Sequence, residues 1–178
     1  MTGQAGRVEQ AEQTEQHGRA GLRLERVGYG HPDAQRLVEE VQQEYVARYG
    51  GPDTAPVDVE EFEAPHGLYL LGYVGDRPVA SGAWRRSDVA ALGATRTAEV
   101  KRMYVVPDAR GRGHARAVLA ELERTAAEAG FEAVVLETGL AQPEAIGLYE
   151  SSGYVPVPGF GHYCGSELSR CFGKRLGT

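Results

Sequence analysis

The chain has 178 residues, of which 42% are hydrophobic and 25% charged, with a formal net charge of −6. That length supports one domain with a substantial core, and the composition is that of a water-soluble globular protein. The negative balance argues against general nucleic-acid binding, and no apolar run reaches the ~20 residues of a membrane-spanning helix.

The N-terminus lacks the basic-then-apolar pattern of a secretory signal, so a cytoplasmic location is expected. Cys164 and Cys171 match neither a disulfide framework nor a zinc-knuckle spacing and are expected as reduced thiols; no metal site is expected. Residues 1–20 are rich in Gln, Glu and Gly and predict a disordered tail, leaving 21–178 as a single domain. Leu22–Val27 alternates apolar and charged residues and predicts a half-buried strand. A helix starts at His31-Pro-Asp33, carries Leu37, Val38, Val41 and Tyr45 on one stripe, and stops at Gly50-Gly-Pro52.

An acidic, proline-punctuated stretch follows, with a short helix around Val59–Glu63. Leu68–Val74 and Val79–Trp84 predict a hairpin through a turn at Gly75–Pro78. Thr97–Val106 is the next strand, and Ala115, Val118, Leu119, Leu122, Ala126 and Ala129 mark an amphipathic helix stopped by Gly130. Ala133–Leu136 is a buried strand, Gln142–Tyr149 a helix with proline in its first turn, and Tyr154–Val157 and Leu168–Lys174 the last strands. The order describes a mixed α/β single domain.

Between the fourth strand and its helix lies Arg110-Gly-Arg-Gly-His-Ala115. Helix-start N–H groups lack internal partners and sit at the positive end of the dipole, while glycine lets an anion approach them. Gly111 and Gly113 supply that access, and Arg110, Arg112 and Arg116 add charge. No lysine is present for a P-loop, and Arg116 replaces the third glycine of a dinucleotide fingerprint.

Residues 99–115 closely resemble the core motif of the GNAT superfamily of acyl-CoA-dependent N-acyltransferases, whose pyrophosphate loop reads Arg/Gln-x-x-Gly-x-Gly/Ala; Arg110, Gly113 and Ala115 match it. A second family motif is matched by Glu137-Thr-Gly139, Gln142–Ala145 and Leu148–Tyr154. The resemblance implies a central, largely antiparallel twisted sheet with a splayed pair of strands and flanking helices. It also implies acetyl-CoA or another acyl-CoA as co-substrate, with no metal. The donor's arm would lie along the backbone of Met103, Tyr104 and Val105, and its pyrophosphate on Gly111–Arg116, where His114 occupies the variable position. Gln142 stands where many relatives have asparagine; it either touches the arm or caps the helix.

By the same resemblance Tyr149 is the general acid: a free thiol has a pKa near ~8.5 and a tyrosine near ~10, and the tyrosine can donate as charge develops on the departing sulfur. Glu99 is the first candidate for the base and Glu137 the second; either can instead pair with Lys101 or Arg102, and a water relay is the other route. Tyr45, Tyr49, Asp53 and the loop Pro158–Gly165 are candidates for acceptor contact. The expected activity is N-acetylation of a primary amine on a small molecule or peptide, with homodimerisation possible in the family. A non-catalytic acyl-CoA sensor or interaction module is the alternative.

Overall fold

The computed structural model describes residues 21–177, so the expected tail at 1–20 lies outside the described residues. Seven strands form one sheet: β1 (Arg23–Val27), β2 (Gly67–Val74), β3 (Arg77–Ser87), β4 (Thr97–Val105), β5 (Ala133–Gly139), β6 (Val155–Pro156) and β7 (Ser169–Arg175). Their spatial order is β1-β2-β3-β4-β5-β7-β6. All neighbours run antiparallel except β4 and β5, which are parallel. A parallel pair needs a crossover. Here the crossover is α2 (His114–Glu128); α1 (Pro32–Tyr49) and α3 (Pro143–Ser151) complete the helices.

Each helix begins and ends where its sequence dictates. His31 caps α1 by accepting from the Asp33 N–H at 3.2 Å, and Gly50 closes it in a left-handed conformation (φ 78°). Val118, Leu119, Leu122 and Ala126 of α2 are buried in the core beside β3 residues such as Ala80 and Ala83. The approach of α2 is close because Gly82 has no side chain. A β-carbon there would lie 2.6 Å from Val118 Cγ1 and 3.0 Å from Leu122 Cδ1. Trp84 fixes the same interface by donating to Thr125 Oγ1 at 2.9 Å.

Two local readings change. The β2–β3 turn is Gly75-Asp76 alone, with Val74 facing Arg77, rather than the four residues Gly75–Pro78. Pro78 lies inside β3 because the register slips between Gly72 and Tyr73, a bulge of the kind that tolerates a residue without an N–H. The strand expected over Tyr154–Val157 is only Val155–Pro156, since the Tyr154 N–H is used by the Tyr149 carbonyl at the end of α3.

The splayed pair is present. β4 and β5 stay paired from Thr97–Ala133 to Val100–Leu136, and no pairing continues beyond. Past that point β4 remains bonded to β3 and β5 to β7. The two strands therefore diverge into a wedge, lined by Lys101–Val105 on one lip and Glu137–Gly139 on the other.

Candidate active site

The wedge opens into a cleft of about 890 Å³ that runs from the α2 N-terminus, past the diverging strands, to the loops after α1 and before β7. That volume is in the range of ~300–1,000 Å³ typical of small-molecule sites.

At one end stands the loop Arg110–Arg116. Gly111 and Gly113 hold φ values of 75° and 82°, left-handed conformations that favour glycine, and a β-carbon at either would meet nothing within 4 Å. Gly113 is the N-cap of α2 and offers no capping side chain. Among the described residues, no backbone N–H from Gly111 to Arg116 has an acceptor. A run of unpartnered donors beside open space, at the positive end of a helix dipole, fits a bound phosphate group.

The arginines divide their work. Arg116 donates to the hydroxyls of Ser151 (2.7 Å) and Ser152 (2.9 Å), tying α2 to the end of α3, and it meets no carboxylate among the described residues. The Arg110 Nε donates to the Val105 carbonyl at 2.9 Å while its terminal nitrogen pairs with Glu44 of α1. Arg112 is exposed, reaches back toward the Asp108 carbonyl (3.5 Å) and does not line the cleft, contrary to the expectation for its side chain. His114 and Ala115 do line it.

Midway lie Met103, Tyr104 and Val105, whose strand edge toward β5 is unpaired. The Tyr104 side chain is buried toward α1, its hydroxyl 3.4 Å from Glu40, and burial pushes its pKa up to about 12. Gln142 does not cap α3 with its side chain. Its amide instead donates to the Tyr49 hydroxyl at 3.1 Å, across the mouth of the wedge.

Tyr149, from the last turn of α3, packs against Tyr154 and Phe172 and is 5% exposed, yet it lines the cleft. Its hydroxyl bonds to no other described residue. Burial raises its pKa well above the ordinary value, with Tyr45 nearby adding to the rise. Such a phenol is neutral and retains its proton at neutral pH.

The two carboxylates proposed as bases differ sharply. Glu99 is 5% exposed, and both its oxygens are taken: one by Arg85 and one by Lys101, each at 2.9 Å. It does not line the cleft. Glu99 thus takes the structural pairing with Lys101 that the sequence left open as its alternative, and Arg85 is a further partner that the sequence did not reveal. Glu137 lines the cleft, accepts from the Ser169 hydroxyl at 2.6 Å, and has no cationic partner among the described residues. The other carboxylates of the lining, Glu44, Asp53 and Glu144, are each ion-paired.

Tyr45 and Tyr49 both line the cleft, as does Tyr163 from the loop Pro158–Gly165. Sequence reasoning missed Thr54 and the position of Arg102, a charged residue in a mostly apolar strand: Arg102 pairs with Asp53, the Thr54 N–H donates to the Tyr163 hydroxyl, and that hydroxyl donates to Asp53. Cys164 is exposed and Cys171 buried, and neither is in a disulfide.

A helix start facing a wedge of parting parallel strands is the architecture of an acyltransferase fold, and solved proteins share it. A GNAT-family acetyltransferase from Staphylococcus aureus superposes with a TM-score of 0.66 at 14% identity, over 88% of this chain and 100% of its own. A PaiA N-acetyltransferase from Thermoplasma acidophilum, solved in complex with coenzyme A, gives 0.62 at 12% identity, over 87% and 99% of the two chains. At the sequence level, the model of the acetyltransferase (GNAT) family matches residues 35–154. The chain belongs to that family. It is also 31% identical over 141 residues to an IAA acetyltransferase from Azospirillum brasilense, spanning 79% of this chain and 89% of the relative.

Proposed function

We propose that the protein transfers an acetyl group from acetyl-CoA, or another acyl group from its CoA ester, to a primary amine by direct attack on the thioester. The carrying observation is the distribution of unsatisfied groups in one cleft. Unpartnered N–H donors from Gly111 to Arg116 stand at one end, and Glu137, the carboxylate with no cation partner, stands beyond the split.

Gly111, Gly113, His114, Ala115 and Arg116 would hold the pyrophosphate, with Arg110 bracing the loop. The open edge of Met103–Val105 would hold the arm, joined by Gln142 once its amide leaves Tyr49. When bound, acetyl-CoA supplies an electrophilic carbonyl and a thiolate leaving group. An edge N–H of β4 polarises that carbonyl. Glu137 attracts the acceptor's ammonium and receives a proton from it, directly or through water, so that the nitrogen attacks as a neutral amine. As the C–N bond forms and the C–S bond breaks, the Tyr149 hydroxyl gives its proton to sulfur. A reading as a mere acyl-CoA sensor leaves both Glu137 and Tyr149 in the cleft without a task.

The test is colorimetric detection of released thiol from acetyl-CoA with amines grouped by class. Release confined to one amine class supports the reading. Tight acetyl-CoA binding with only slow hydrolysis, and no productive amine or peptide, refutes it in favour of the sensor.

A further inference from the structure

Three segments distant in sequence meet at Arg102. β4 bulges there: its register against β3 shifts between Ser81 and Ala83, and Arg102 takes φ 57°, a left-handed conformation uncommon outside glycine. Its side chain is only 7% exposed, and Asp53, at 3.3 Å, is its carboxylate partner. Asp53 also accepts from the Tyr163 hydroxyl and the Ala55 N–H, both at 2.9 Å. The Tyr163 oxygen in turn accepts from the Thr54 N–H at 2.9 Å, and the His162 ring lies 3.4 Å from the Thr54 hydroxyl. The loop after α1 and the loop before β7 are thereby fastened to each other and to the bulge. A charge taken out of water and a backbone held left-handed are both unfavourable on their own, and their coincidence beside a cleft points to a use.

The location supplies the use. A second cleft of about 360 Å³ lies beyond the same two loops and shares Ala55, Pro56, Arg85 and Lys101 with the first. Asp53, Thr54 and Tyr163 face the main cleft, and Gly161 and His162 face the second. The clasp therefore stands where the two clefts adjoin.

Resting on the transferase reading above, we propose that the Arg102–Asp53–Tyr163 clasp is the acceptor size filter, restricting the enzyme to small amines. A polypeptide amine needs an exit wide enough for its chain while the nitrogen reacts. With the donor at the α2 end, such a chain would run past the loops that the clasp fastens, toward the second cleft. Arg102 and Tyr163 are positioning residues in this scheme, since they act through the loops.

Tyr163→Phe keeps the ring and removes the hydroxyl that joins Asp53 to Thr54. Hydrogen exchange reads the clasp without any turnover: exchange at residues 53–57 should quicken about tenfold in the variant, the loss of roughly one hydrogen bond's worth of protection. Thiol release from acetyl-CoA then compares small primary amines with a free-N-terminus hexapeptide. Wild-type kcat/KM should favour the best small amine by about a hundredfold, the variant should narrow that ratio about tenfold, and the KM for acetyl-CoA should not move. Unchanged exchange, a wild-type ratio near one, or a variant ratio like the wild type's each overturns the proposal. Altered exchange with no thiol released from any amine or peptide is a different failure: it overturns the transferase reading, and the size filter falls with it.

Discussion

Tyr149 and Glu137 show how far single residues could be understood before their neighbours were known. Both stand in the segment that resembles the family's second motif, and both line the cleft. Glu99 stands in an equally suggestive place, yet it is consumed by Arg85 and Lys101. That outcome depends on the β3–β4 register setting Arg85 opposite Glu99, a pairing between positions 14 residues apart that no local pattern encodes. The contacts of Arg102 and Tyr163 with Asp53 escaped notice for the same reason, since Asp53 lies 49 and 110 residues away from them. For Tyr149 the expectation is specific. Tyr149→Phe should lower kcat about a hundredfold while leaving the Kd for acetyl-CoA unchanged, because it removes a proton donor but no binding contact. The raised pKa also fixes the pH behaviour. A phenol is an acid that is neutral below its pKa, so Tyr149 keeps its proton up to pH 10 and beyond, as the proposed donor role requires. Wild-type kcat should therefore show no Tyr149-dependent fall on the alkaline side below pH 10; a fall there that Tyr149→Phe abolishes would contradict the assignment.

At the scale of elements the sequence was most legible, because helices and strands are set by local periodicity and by their stops. The order of strands and α-helices was recovered, and Gly50 and Gly130 take the left-handed conformations that their places after helices suggest. What periodicity could not express was where pairing ends. The split after Val100 and Leu136 follows from β4 keeping β3 and β5 keeping β7 as partners, with the Arg102 bulge on one lip. Directly across that bulge in β3, Gly82 lets α2 approach, and Met103 Sδ would lie 2.8 Å from a β-carbon there. Gly82→Ala should therefore cost about 1–3 kcal/mol, the usual cost of overpacking a core, measurable by urea denaturation. It should also weaken acetyl-CoA binding, because α2 carries at its N-terminus the loop proposed to hold the pyrophosphate. Gly113→Asp tests that loop by different physics. The added β-carbon meets open space, so no clash arises. The φ of 82° makes a left-handed non-glycine residue cost about 1–2 kcal/mol, and the carboxylate repels the phosphate. Loss of acetyl-CoA affinity with a folded protein is expected in isothermal titration; unchanged affinity would place the pyrophosphate elsewhere.

The whole molecule is held around its cleft by α1, whose last turns touch both arms. Arg48 donates to the Ala141 carbonyl at 2.7 Å and pairs with Glu144 and Glu44, while Glu44 also holds Arg110. Tyrosines line and underlie this junction, and their burial gives the protein a shared response to alkali. Burial pushes Tyr45 and Tyr69 up to about 12, and raises Tyr149 and Tyr154 as well. In the unfolded chain each returns to an ordinary value near about 10. Between those limits the native state retains protons that the unfolded state has lost, so unfolding releases protons and stability falls as pH rises. The contribution is fully present below about pH 10 and is lost progressively as pH climbs through the native values. Tyr69, 1% exposed, should alone account for on the order of 1–3 kcal/mol of that loss. Urea midpoints measured from pH 8 to 11 should hold steady at first and drop beyond about pH 10, with Tyr69→Phe flattening the drop. A decline that begins well below pH 10, or one that Tyr69→Phe leaves unchanged, would show that groups other than the buried tyrosines control alkaline stability.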